Sequence, residues 1–195
     1  MKKTFVEFEP TSRLAWRKWL EQNHTTRESI WLIIAKKGCE LPTLSIDDVV
    51  EEALCFGWID SVPNKVDERR YKILLSPRKP KSKWSKINKG RANRMIKTGL
   101  MTAAGMELIK LAKKTGTWNA LENVDKLIIP DDLKDALTKN KKAQTYFEAF
   151  PPSTKRGILE WIDNAKTAVT RNRRIVETVT LAANNIRANQ YRPKK

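Results

Sequence analysis

Ser45–Arg78 reads SIDDVVEEALCFGWIDSVPNKVDERRYKILLSPR, and the fold is decided in this stretch. Its first half repeats apolar residues at helical spacing, with Ile46, Val49, Val50, Ala53 and Leu54 on one face. Ser45 stands where an N-cap is wanted, and Asp47 and Asp48 fall in the first turn, where the helix dipole favours acids. Gly57 ends the helix. The period then changes. WIDSV and YKILLSP are short apolar runs on either side of the polar PNKVDERR, the pattern of a hairpin that stops at Pro77. A helix running directly into a hairpin predicts an α+β chain.

The flanks agree. EPTSRLAWRKWLEQNH predicts a helix capped by Thr11 or Ser12, with Leu14, Trp16, Trp19 and Leu20 as its apolar stripe. SIWLIIAKKG predicts a buried strand from about Ser29 to Lys36. Downstream, the pattern is helical from Trp84 to Thr98 and again over Ala103–Lys114. After the connector TGTWNALENVDKLIIP it is helical almost to the end, with Ser153 as an N-cap and Ile175, Val179, Ala182 and Ile186 as a stripe. The fold class is α+β: a small antiparallel or mixed sheet packed with helices, followed by a helical C-terminal part. The expected division is an α+β domain over 1–118, carrying the basic segment, and a helical domain over 119–195.

The chain has 195 residues, 40% of them hydrophobic, enough for a core without disulfide or metal staples. Cys39 and Cys55 form no CxxC pair and read as reduced thiols. The N-terminus MKKTFVEFEP breaks into charge and proline, so no signal peptide is expected, and no apolar run reaches membrane-spanning length. A cytoplasmic location is the expectation. Net charge is +17, unevenly placed: residues 65–97 carry 13 basic and 2 acidic side chains, and residues 155–195 carry 10 and 3. Such a field attracts nucleic acid, acidic membrane surfaces or anionic metabolites, or serves only solubility.

Little points to an enzyme. His24 is the one histidine, with no second ligand at metal spacing, and no GxGxxG, GxxxxGK[ST] or GxSxG occurs. No metal and no cofactor are expected. The pairs Asp47–Asp48 and Glu51–Glu52 read as a solvated helix face. The central basic segment carries the binding chemistry. On a helical wheel from Trp84, Lys83, Lys86, Lys89, Arg94 and Lys97 share one side; Arg91 falls inside the apolar arc and needs a partner or a ligand. Arg78, Lys79, Lys81 and Ser82 surround the helix start, where free N–H groups, a forked guanidinium and a hydroxyl suit an anion. Trp58 and Trp84 are placed to stack on a planar group, or else belong to the core. Asp60 is expected to pair with Arg70 or Arg78. The ligand-binding set is therefore Trp58, Asp60, Arg70, Arg78, Ser82, Trp84, Ser85 and Asn88. The set for nucleic acid is Lys79, Lys81, Lys83, Lys86, Lys89, Arg94 and Lys97.

Four motifs in order, ALCFGWIDS, SPRKPKSKWSKIN, GLMTAAGMELIKLAKKTGTW and FPPSTKRGILEWIDNAKTAVTRNRRI, resemble the signatures of the bacteriocin-protection family, also called YdeI/OmpD-associated. The resemblance covers most of the chain. Ser61 departs from it, since the family prefers Gly after GWID. It implies a link to tolerance of bacteriocins or antimicrobial peptides, and it supplies no catalytic residues to carry over. Trp58, Asp60, Arg78, Ser82, Trp84, Ser85 and Asn88 occupy signature positions. The leading expectation is a non-enzymatic binding protein acting in stress or envelope defence, its anionic partner docking on 65–97. The alternatives are a nucleic-acid-binding protein and an enzyme acting on an anionic small molecule near Trp58, Asp60 and Arg78. Direct capture of cationic peptides conflicts with the +17 charge.

Overall fold

In a computed structural model describing residues 5–39 and 44–190, Ser45 caps helix α2 (Ile46–Cys55). Its hydroxyl accepts from the Asp48 N–H, while the Asp48 carboxylate accepts from the Ser45 N–H, a reciprocal capping box. Gly57 follows at φ +75°, left-handed backbone open to glycine at little cost. The chain then enters strands β3 (Trp58–Lys65) and β4 (Arg70–Pro77), the predicted hairpin. Pairing is antiparallel and shifts register between Asp60 and Pro63, so Ser61 lies in an irregular strand segment.

The sheet has four strands in the order β1-β2-β4-β3. Strand β2 (Ile30–Ala35) pairs antiparallel with β4, as its β-branched run allows. The two-residue strand β1 (Glu7–Phe8) lies parallel to β2, which makes the sheet mixed. The charge-and-proline reading of this segment gave no strand. Helix α1 (Arg13–Asn23) is capped by Ser12 and buries Trp16 and Leu20, while Leu14 faces solvent. Helices α3 (Lys86–Lys97) and α4 (Ala103–Lys114) complete the first compact unit, residues 1–120.

Two apolar clusters hold this unit. One joins the sheet to α1 and α2 through Trp16, Leu20, Ile30, Leu32, Val49 and Trp58. The other joins α2, α3 and α4 through Val50, Leu54, Trp84, Ala92 and Ile109. Gly105 sets the approach of α4: a Cβ there would sit 2.4 Å from the Cys55 carbonyl oxygen and 2.6 Å from that of Leu54. Thr102 adds a hydroxyl bond to the Cys55 carbonyl at 2.5 Å. The AG of the third motif is thus a close helix crossing.

The second unit, residues 121–195, is helical where described: α5 (Glu122–Asp125), α6 (Asp131–Thr138), α7 (Lys141–Ala149), α8 (Pro152–Asp163) and α9 (Ala168–Ala182). Helix α9 packs on α6, α7 and α8 over Leu133, Phe147, Ile158, Ile162 and Ile175. Ser153 is not the cap of α8. Pro151 holds the N-cap position and Pro152 opens the helix, where its fixed φ suits the first turn.

Candidate anion-binding surface

Helix α2 lies between α1 and α3, and its acids face arginines on both. Arg13 donates to Asp48 at 2.5 Å and to Glu52 at 2.7 Å, and Arg17 reaches the other Glu52 oxygen at 2.7 Å. From α3, Arg94 donates twice to Glu51, at 3.0 and 2.6 Å, and Arg91 binds Asp47 and Asn88. Glu51 and Glu52 are 6% and 2% exposed. The solvated-face reading of these acids is therefore wrong: two of them are the buried middle of an ion ladder across three helices. Burial opposes the charge on Arg13, but its bonds to Glu52 and Asp48 outweigh that and raise its pKa. Asp48 is held below the usual carboxylate range by the Ser45 hydroxyl and by Arg13. Cys55, buried beside Glu52, has its thiol pushed up to about 11, unsuited to nucleophilic work at neutral pH. The ladder was missed because each set was read alone. Arg13/Arg17, Asp48/Glu52 and Arg91/Arg94 stand three or four residues apart with complementary sign, and that was the available signal.

The junction of β4 and α3 places the signature residues. Ser85 caps α3, accepting from the Asn88 N–H at 3.3 Å, so the helix begins at Lys86, later than the helical pattern from Trp84 predicts, and Ser82 lies before its cap. Arg78 is 6% exposed. Its guanidinium lies 3.9 Å from the centroid of the Trp84 ring and donates to the Lys83 carbonyl at 2.6 Å; its Nε is buried with no hydrogen-bond partner among the described residues. Burial pulls its pKa down to about 10, with the charge of Asp60 opposing. Asp60 thus acts on Arg78 at a distance. Arg70 pairs with Asp67 and Glu9 instead. The N–H of Arg78 also bonds the Gly57 carbonyl, tying the GWID motif to the PR motif.

Trp58 and Trp84 are 1% and 2% exposed. The Trp58 indole donates to the His24 carbonyl and meets Trp19 edge-on, and Trp84 lies between Arg78 and Trp118. Both rings are filled by protein neighbours, which corrects the stacking role. Asn88 is engaged by Arg91, and Ser82 is half-buried beside the junction. The ladder and this junction engage Arg78, Arg91 and Arg94. The lysines differ. Lys79, Lys81, Lys86 and Lys97 are exposed and Lys89 is half-buried, and none of the five side chains makes an ion pair or hydrogen bond among the described residues. Lys83, half-buried, does have a partner. On α3, Lys86, Lys89 and Lys97 fall within an arc of about 80° around Asn93.

In the second unit, Arg171 grips Asp132 with two bonds, at 2.6 and 2.9 Å, lowering the carboxyl pKa. They border a cavity of about 520 Å³ between α6 and α9, floored by Ala136, Ile175 and Val179. Arg174 lies over Trp161 at 5.0 Å and donates to its carbonyl. Among the described residues, no helix is long and apolar enough to cross a membrane.

Two family models match this chain. Residues 8–108 match the Domain of unknown function (DUF8412), and residues 126–185 match "Bacteriocin-protection, YdeI or OmpD-Associated". No curated protein and no solved structure matches.

Proposed function

From a chain that belongs to the DUF8412 family through residues 8–108 and carries a bacteriocin-protection, YdeI or OmpD-associated domain over 126–185, we propose a non-enzymatic binding protein that contributes to bacteriocin tolerance by holding an anionic partner. The partner docks on Lys79, Lys81, Lys86, Lys89 and Lys97, with Arg78 and Ser82 bordering the site. One observation carries the reading: the ion ladder and the Trp84 junction engage the neighbouring arginines, while these five lysines keep their charge for solvent. A charge of +17 repels cationic peptides, so protection in this reading is indirect; a cytoplasmic place of action is part of the proposal.

The test is complementation. Cells lacking the gene are challenged with a bacteriocin after return of the wild type or of the Lys86→Gln/Lys89→Gln/Lys97→Gln variant. Restored survival with the wild type and none with an equally abundant variant is expected. Equal rescue by both would exclude the lysine surface from the role.

A further inference from the structure

We infer that the anion held by this surface is the phosphate backbone of a nucleic-acid duplex, bound without regard to base sequence. The inference rests on the reading that Lys79, Lys81, Lys86, Lys89 and Lys97 hold an anionic partner.

Extent speaks first. Lys86 to Lys97 spans about 16 Å of helix, and Lys79 and Lys81 precede it in the chain. A single small ion cannot meet charges so spread. A duplex carries one negative charge per about 1.7 Å of axis, so several phosphates fall within reach of such a helix.

The residue types narrow the mode. Base edges are read best by forked or amide side chains. Here Arg91 and Arg94 are held by Asp47 and Glu51, and Asn88 by Arg91, so the uncommitted cations on the stripe are lysines, point charges suited to phosphate. Single strands are held by stacking bases on aromatic rings. Among the described residues no aromatic side chain is exposed, and Trp84 is buried under Arg78. A membrane surface calls for a broad apolar face. Helix α3 buries Ala92 and Met95, and its exposed isoleucines, Ile87 and Ile96, stand about 180° apart on opposite flanks of the lysine stripe.

The test is fluorescence anisotropy of the full chain with labelled duplexes of about 20 base pairs and two unrelated sequences, as salt is varied. If five phosphates are neutralised, the log–log slope is about −4.5, a loss of about 500-fold between 50 and 200 mM salt. Lys86→Gln/Lys89→Gln/Lys97→Gln should reduce the slope to about −1.8, a loss of about 12-fold. Lys139→Gln/Lys141→Gln/Lys142→Gln, equal in charge removed, should keep the wild-type slope, and both variants are checked for an unchanged melting curve. The two duplexes should bind within about threefold of each other. Tighter binding of oligo(dT), or of phosphatidylglycerol vesicles with no duplex binding, overturns the inference. Heparin bound through the α3 lysines with no duplex bound overturns the duplex and leaves the anionic reading standing. If the α3 triple variant binds every probe as the wild type does, both fall.

Discussion

Arg78 lies over Trp84 at 3.9 Å and Arg174 over Trp161 at 5.0 Å, each guanidinium donates to a backbone carbonyl, and each has a buried Nε without a hydrogen-bond partner among the described residues. The settings differ. Arg78 is buried in the first unit, whereas Arg174 in the second is half-buried. The ion pairs repeat the contrast: Glu52 is 2% exposed between Arg13 and Arg17, while the Asp132 side chain, paired with Arg171, is 46% exposed. Water still solvates a half-exposed ion when its partner is removed. A buried one has only its protein neighbours, so the same pair chemistry weighs more in the first unit.

Glycine gives the largest expected break between the units. Gly105 in α4 and Gly157 in α8 both lie inside helices, where alanine is intrinsically better by about 1 kcal/mol. At Gly105 a Cβ would collide with two backbone carbonyls, so Gly105→Ala should cost about 3 kcal/mol by urea unfolding. At Gly157 its nearest neighbour is a side-chain nitrogen at 3.9 Å, so Gly157→Ala should add about 0.5 kcal/mol. Similar effects at the two sites would refute the close crossing of α4 on α2.

The carboxylates come next. Glu52→Ala removes one bond from each of Arg13 and Arg17, leaving Arg13 with Asp48 and Arg17 with the Leu100 carbonyl, and should cost about 2 kcal/mol; Asp132→Asn should cost below about 1 kcal/mol. Asp132 also has a pH signature. Its folded pKa lies below the ordinary 3.8, so its contribution is full above that value and is lost as pH falls through the lower folded one. The gap between wild type and Asp132→Asn should therefore close in strong acid. A constant gap down to pH 2 would show that the ion pair contributes nothing.

The smallest difference separates the two arginines that opened the comparison. Arg78→Ala uncovers the Trp84 ring and removes the guanidinium bond to the Lys83 carbonyl, for about 2 kcal/mol in thermal or urea unfolding; Arg174→Ala should cost about 1 kcal/mol. Equal costs would mean that burial does not set the weight of these pairs.

Much of the fold was legible because caps and periods are local. Ser45, Gly57 and Pro77 punctuate the chain by their own backbone chemistry, and the helix and hairpin between them follow. Strand β1 was not legible, since two residues carry no period and its pairing depends on β2. Of the candidate site, the lysines were visible as charge and the helix that carries them as amphipathic. Ser85 as the cap was hidden by Ser82 and Trp84, which fit a helix start equally well from sequence.

The sequence by itself determined the helices, the hairpin and the concentration of positive charge in residues 65–97, because propensity, capping and charge belong to the chain before it folds. Only the tertiary structure decided which charges remain outside. A helical wheel shows that Glu51, Arg91 and Arg94 each hold a face, but not that α2 and α3 turn those faces to each other. That meeting rests on the apolar contact of the two helices through Val50, Leu54, Ala92 and the buried Trp84. Coulomb attraction across a packed interface selects the arginines there, and the lysines on the adjoining arc keep their charge for whatever arrives from solution.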